Sequence, residues 1–240
     1  MPLRAVFFDM GGTLVQSEGT VDAWRPAVLE AIERDFGRRW WAEPLYDADI
    51  RRPPKDEPHR QETNRWLAEW LSANGEVLTA DEVERLRSDF ARPLPLAYAL
   101  TSGAAEALRW CKQRHLAVVV VTNTISRGDD QVRRDFVRFD LTGVIDHVVT
   151  SYSTGWEKPH PAIFERALAC AGVTAVETCM VGDDLDADVI GPQRLGIRAV
   201  WKCSADSPRE TATPADATIA SLLELPGVLG TWLAQDARRR

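Results

Sequence analysis

The stretch from Leu116 to Val121 ends in four consecutive valines, Val118-Val119-Val120-Val121, with no polar residue among them. A strand with one face in water alternates apolar and polar residues, whereas a strand covered on both faces has no reason to alternate. The run is therefore predicted to be a central strand of a parallel sheet. The segments after Pro95 agree with this. They read as helix Gly103–Arg114, strand Leu116–Val121, helix Arg127–Arg138, strand Val144–Val149, helix Pro161–Ala171, strand Thr178–Val181, helix Leu185–Leu195 and strand Ala199–Trp201. Strands separated by helices of this length imply an α/β fold.

One more apolar strand stands far upstream. Ala5-Val6-Phe7-Phe8 stops at Asp9 and a turn-forming Gly11-Gly12 pair, which places the Asp9 carboxylate at a strand end. From about Ser17 to Pro95 the character changes: Trp24/Val28, Trp66/Trp70 and Val83/Leu86 recur at helical spacing with charged residues between them. This part reads as an all-helical insertion, broken by a loop at Arg51-Arg52-Pro53-Pro54, where prolines disfavour helix. The expected division is a parallel-sheet core of residues 1–15 and 96–240 and a helical domain of residues 16–95.

Composition narrows the function classes. With 45% hydrophobic and 27% charged residues the chain is globular rather than disordered. Its net charge of −7 argues against a mainly electrostatic binder of nucleic acid or anionic membrane. No apolar stretch approaches the roughly 20 residues of a membrane helix, and no signal peptide is read at the N-terminus. Cys111, Cys170, Cys179 and Cys203 contain no Cys-x-x-Cys pair, so neither a zinc knuckle nor a disulfide framework is indicated and a cytoplasmic location is expected. Nothing in the sequence marks an oligomeric state.

In a parallel sheet ligands gather at the carboxyl ends of the strands. The residues there form a consistent set: Asp9 after the first strand, Thr122-Asn123 after the second, Lys158-Pro159 in the loop after the third, and Gly182-Asp183-Asp184-Leu185-Asp186-Ala187-Asp188 after the fourth. Carboxylates gathered at one edge repel one another unless a cation lies between them, and hard oxygen ligands of this kind suit Mg²⁺. A plainer role for Asp183 and Asp184 is to cap the helix that starts near Leu185. Agreement among four strand ends favours a site.

These residues also carry a family resemblance. Phe7-Phe8-Asp9-Met10-Gly11-Gly12-Thr13-Leu14, Val120-Val121-Thr122-Asn123, Lys158-Pro159 followed by Pro161-Ala162-Ile163-Phe164, and Val181-Gly182-Asp183 with Asp188 resemble the four ordered motifs of the haloacid dehalogenase superfamily of phosphotransferases and hydrolases. The resemblance implies a Rossmann-like core with the helical segment as a mobile cap. It makes Asp9 the nucleophile that forms an aspartyl-phosphate, with Thr122, Asn123 and Lys158 holding the phosphoryl oxygens of a small phosphorylated substrate. Asp9, the Gly11 backbone carbonyl and Asp183 then face Mg²⁺, and Asp188 supports the metal waters or the lysine.

At Gly11 the chain departs from that pattern, because the family's phosphatases usually carry a second aspartate there as general acid/base. Positioned proton transfer is worth about 10²- to 10⁴-fold, so substrates with good leaving groups should suffer least from its loss. The expected function is a Mg²⁺-dependent phosphatase. The alternatives are a haloacid dehalogenase-type hydrolase and a weak or inactive pseudo-phosphatase that binds a ligand or partner, with Trp40-Trp41 beside Arg38-Arg39 as a candidate patch. Arg51, Arg52, Lys55, Arg60 and Arg65 either meet a second anionic group of the substrate or form a solvated face.

Overall fold

A computed structural model of the chain describes residues 2–16, 20–49, 51, 62–93, 98–124, 126–203 and 213–238. The apolar segments pair in parallel as β1 (Ala5–Phe8), β2 (Ala117–Thr122), β3 (His147–Thr150), β4 (Thr178–Gly182), β5 (Arg198–Lys202) and β6 (Ala217–Ile219), in the order β3-β2-β1-β4-β5-β6. Phe8 of β1 lies level with Val120 of β2 on one side and Val181 of β4 on the other. The chain builds outward from β1 to β3, then returns to the other side of β1 for β4. Such a reversal opens a crevice at the carboxyl ends of the two strands beside it.

The valine run behaves as its composition demands. Val118 and Val120 join Val6 and Phe8 in a core completed by Ala107 and Leu108 of α5 (Ala104–Gln113), Val132 of α6 (Asp129–Asp135) and Leu229 of the last helix. Val119 and Val121 point the other way, with Ala5 and Phe7, onto Ile163, Phe164 and Ala167 of the helix Pro161–Ala171. Both sheet faces are thus covered, in the Rossmann-like α/β arrangement.

Some boundaries differ from expectation. The third strand begins at His147 rather than Val144, because Val144 and Ile145 turn back onto the Leu141 carbonyl, and the Asp146 carboxylate accepts from Val118 N at 2.8 Å and Lys112 Nζ at 2.7 Å. The expected helix Arg127–Arg138 reduces to α6 and a 3-10 turn at Val137–Phe139, since the Thr124 hydroxyl holds the Arg127 carbonyl at 2.7 Å. After α7 (Ser151–Thr154) and α8 (Pro161–Ala171), Leu185–Ile190 winds as a π-helix before α9 (Gly191–Gln193). Strand β6 and α10 (Leu225–Arg238) were not expected from the sequence.

The N-terminal helices α1 (Thr20–Phe36), α2 (Ala42–Asp49), α3 (Thr63–Ala73) and α4 (Ala80–Phe90) bury a core of their own, including Val28, Ile32, Trp41, Leu45, Leu67, Leu71 and Leu86. Trp66 and Val83 are buried in it, with Trp24 and Trp70 packed at its edge. The Trp40-Trp41 pair divides: Trp41 is core, whereas Trp40 is 60% exposed and its Nε1 donates to Glu76. Arg65 is exposed and paired with Glu62 and Glu69, as a solvated face requires. The expected loop at 52–54, the Pro95 boundary and the cations Arg52, Lys55 and Arg60 lie outside the described residues. Among the described residues no helix is long and apolar enough to cross a membrane.

Candidate active site

The crevice beside β1 holds a cavity of about 260 Å³ lined by Asp9, Gly11, Thr122, Asn123, Lys158, Asp183, Asp184, Ala187 and Asp188. Each of the four strand ends singled out in the sequence therefore sends at least one side chain into the same space, with Asp9, Thr122, Asn123, Lys158, Asp183 and Asp188 all lining it. Asp9 follows β1 directly, its backbone N–H donating to the Val181 carbonyl at 2.9 Å, and Thr122 closes β2 with its side chain buried. The parallel pairing of β1 with β2 brings these two neighbouring strand ends to the same cavity.

Lys158 occupies the floor. Its Nζ donates to Asp9 Oδ1 at 2.6 Å and to Asp188 Oδ1 at 2.7 Å, with the side chains of Lys158 and Asp188 essentially excluded from solvent. Asn123 fixes the backbone there from two directions: Lys158 N donates to Asn123 Oδ1 at 2.8 Å and Asn123 Nδ2 donates to the Lys158 carbonyl at 3.1 Å. The loop passes through a cis Lys158-Pro159 peptide into α8, whose N-terminus His160 caps.

Electrostatics follow from this burial. Desolvation raises the Asp9 carboxyl above its ordinary value against the pull of Lys158, with Asp183 adding to the rise. Desolvation also pushes Asp188 up to about 6, with Asp9 adding repulsion and Lys158 opposing. Burial alone would lower the Lys158 ammonium, but Asp188 and Asp9 outweigh it and hold it above its ordinary range. Lys158 is thus a fixed cation. Partial withdrawal from water raises Asp183, opposed by the hydrogen bond from Thr13 Oγ1 at 2.9 Å.

Asp9, Asp183 and Asp188 each present a carboxylate oxygen, and the three oxygens lie within 4.8 Å of one another. An all-oxygen donor set of this size, with Asp183 exposed to the opening, fits a hard divalent cation such as Mg²⁺ that keeps several waters. Asp184 lines the cavity and also serves the plainer purpose considered from sequence, since its Oδ1 accepts from Asp186 N and Ala187 N at 2.9 Å each. Asp186 faces solvent and does not line the cavity.

Two residues at the end of β5 escaped the sequence reading. Trp201 Nε1 donates to the Asp183 carbonyl at 3.0 Å, and Lys202 Nζ donates to the Gly12 carbonyl at 2.8 Å. Together they brace the two loops that carry Asp183 and Asp9. No local pattern announces such contacts, because they join side chains of one strand to backbone many residues away. Gly12 has φ +78°, and a Cβ built there would collide with the Asp183 carboxylate, so the loops interlock only with glycine at that position.

Comparison with known proteins places this geometry. Residues 3–196 match the model of the haloacid dehalogenase-like hydrolases. The chain is 33% identical over 116 residues to the human haloacid dehalogenase-like hydrolase domain-containing protein 3, a match covering 48% of this chain and only 44% of that protein. It is 29% identical over 212 residues to ribulose-1,5-bisphosphate 5-phosphatase of Halopiger xanaduensis, covering 82% and 83%. Its fold is that of the 2-haloacid dehalogenase from Pseudomonas syringae pv. Tomato, with a TM-score of 0.68, 23% identity and coverage of 96% and 99%. With the family match spanning most of the sheet and its strand-end residues gathered on one cavity, the chain belongs to the haloacid dehalogenase-like hydrolases.

Proposed function

We propose that the chain is a Mg²⁺-dependent phosphatase of a small phosphorylated metabolite, with Asp9 as nucleophile. The observation that carries this reading is the Lys158 ammonium, held between Asp9 and Asp188 at the floor of a cavity with a third carboxylate opposite. A halide-displacing site for an anionic haloacid has little use for three converging carboxylates, which would repel the substrate. The likeness to a ribulose-bisphosphate phosphatase over most of both chains supports phosphate chemistry.

In this mechanism an Asp9 carboxylate oxygen attacks phosphorus, the P–O bond to the leaving group breaks, and an aspartyl-phosphate forms. Water then attacks phosphorus and returns the Asp9 carboxylate with release of phosphate. Thr122, Asn123 and Lys158 hold the phosphoryl oxygens, where fixed donors stabilise charge that spreads during transfer. Asp9, the Gly11 carbonyl and Asp183 would hold Mg²⁺, with Asp188 behind them on Lys158. The cation supplies charge neutralisation for a dianionic phosphoryl group.

Gly11 brings no proton to the leaving oxygen, so the site suits leaving groups that depart as stable anions, acyl phosphates above all. The helical segment, residues 16–95, acts as a cap over the core of residues 1–15 and 96–240 and closes on substrate as lids do. A reducing, cytoplasmic location suits a sequence whose four cysteines, Cys111, Cys170, Cys179 and Cys203, include no Cys-x-x-Cys pair.

The test is hydrolysis of acetyl phosphate and p-nitrophenyl phosphate with and without Mg²⁺, by the wild type and by Asp9→Asn. Mg²⁺-dependent turnover lost in the variant is the expected outcome. Metal-independent release of halide from a 2-haloacid, with no phosphatase activity, would overturn the reading in favour of dehalogenation.

A further inference from the structure

Thr124, Ser126 and Arg127 follow directly on Thr122 and Asn123, and they are held from two sides. On the core side Thr124 N donates to Ser151 Oγ at 2.8 Å, the Ser151 hydroxyl donates to the Thr124 carbonyl at 2.7 Å, and the Thr124 hydroxyl donates to the Arg127 carbonyl at 2.7 Å. On the other side stands Arg87 of α4, with its side chain largely buried. Its Nη1 donates to the Ser126 carbonyl at 2.8 Å, and its guanidinium carbon lies 5.4 Å from the centre of the Tyr152 ring on α7.

The rest of that guanidinium is tied back into the helical segment. Arg87 Nε donates to Glu84 Oε2 at 2.9 Å, and the same Glu84 oxygen accepts from Asn64 Nδ2 of α3 at 2.8 Å. A second contact runs the opposite way across the same seam. The Arg127 guanidinium, ion-paired with Asp135, lies 5.4 Å from the Trp24 ring of α1, and Trp24 meets Tyr98 edge-on at 6.0 Å. Each side thus offers an arginine to an aromatic ring of the other. Only arginine combines a planar cation that rests on a ring with donors left over for a carbonyl and a carboxylate at once.

We infer that Arg87 is a positioning residue: through the Ser126 carbonyl it couples the seating of the helical segment to the strand end that carries Thr122 and Asn123. The path onward is short. Asn123 is bound in both directions to the Lys158 backbone, so displacement of the residues after β2 reaches the cation on the cavity floor. The inference rests on the phosphatase reading for its catalytic consequence, but the physical coupling is independent of any substrate.

Hydrogen exchange reads the coupling directly. The Thr124 amide, which donates to Ser151 Oγ, is the reporter, and the variants are Arg87→Met and Arg87→Lys in the full chain without substrate. Loss of a charged donor to a carbonyl is expected to raise Thr124 exchange about tenfold, with the amides of β1 and β4 unchanged. In turnover of acetyl phosphate, kcat is expected to fall by a similar factor while the Mg²⁺ affinity, measured by calorimetry, stays at the wild-type value. Unchanged Thr124 exchange overturns the inference. Exchange raised throughout the helical segment and the sheet overturns it too, since that marks an arginine needed only for stability. A chain inactive on every phosphate but with the local exchange response would remove the phosphatase reading and leave the coupling standing.

Discussion

Lys158 Nζ stands 2.6 Å from Asp9 Oδ1, although 149 residues separate the two in the chain. The same ammonium contacts Asp188, so one buried cation balances two buried acids. Replacing it with methionine leaves both without a cation, and breaking a buried ion pair from one side typically costs about 3–5 kcal/mol. Lys158→Met is expected to lower unfolding stability by about 3 kcal/mol at neutral pH and to abolish turnover. The loss should shrink as pH falls, because Asp188, raised by burial even with Lys158 beside it, takes up a proton more readily once the ammonium is gone. Urea unfolding at neutral and at lower pH measures both effects.

Gly11 lines the cavity, and a Cβ built on it has nothing within 4 Å. The position therefore accepts a side chain without repacking. Gly11→Asp is expected to raise turnover of a simple alkyl phosphate by about 10²-fold while changing acetyl phosphate turnover much less. An unchanged ratio of the two rates, in a variant with wild-type Mg²⁺ affinity, would show that the position does not face the leaving group.

At Gly12, one residue on, the opposite holds. Its positive φ disfavours any side chain, and the added carbon would strike the Asp183 carboxylate. Gly12→Ala is expected to weaken Mg²⁺ binding at least about tenfold, a change of about 1.4 kcal/mol, because Asp183 must move away from Asp9 and Asp188. Calorimetric titration with Mg²⁺ is the check, and wild-type affinity would refute the interlocking of the two loops.

Asp89 on α4 gives the stability of the chain a dependence on pH. Desolvation, reinforced by Asp35, pushes its carboxyl up to about 6 despite Arg92 and Arg34. A folded-state value above the unfolded value of about 3.9 means that the native state binds the proton more tightly. The stability so gained is present at low pH and is lost as pH rises from about 4 through 6, by at most about 3 kcal/mol in all. Asp89→Asn should flatten that slope in thermal unfolding curves recorded between pH 4 and 7. A slope identical to the wild type would place the carboxyl at its ordinary value.

Much of this architecture was legible because strand ends write their chemistry next to an apolar run. The valines of β2 stated that both faces are covered, and Thr122 and Asn123 followed at once. Asp9, Lys158, Asp183 and Asp188 were found by the same rule. What could not be read lacked a local signal. Strand β6 is only Ala217-Thr218-Ile219, and α10 opens with Leu225-Pro226-Gly227, a sequence that reads as a break until Leu229 is seen buried in the sheet core. Trp201 and Lys202 act on backbone carbonyls across the sheet edge, and Arg87 acts on one from another layer. Contacts to carbonyls leave no mark on the partner's residue type, so no pattern betrays them.

The central place of β1 has a consequence for how the molecule is made. Its partners begin at Ala117 and Thr178, so during synthesis β1 waits until Ala117 before one of its edges is covered and until Thr178 before the other is. The helices α1 to α4 hold their own apolar cluster and can condense in that interval. Pairings this distant in sequence are slow to form and leave apolar edges open to other chains meanwhile. A nascent chain halted before β4 would therefore carry Asp9 on a sticky, half-paired strand with no Asp183 or Asp188 to face it. Such a fragment is a candidate for aggregation and quality control, not for partial activity.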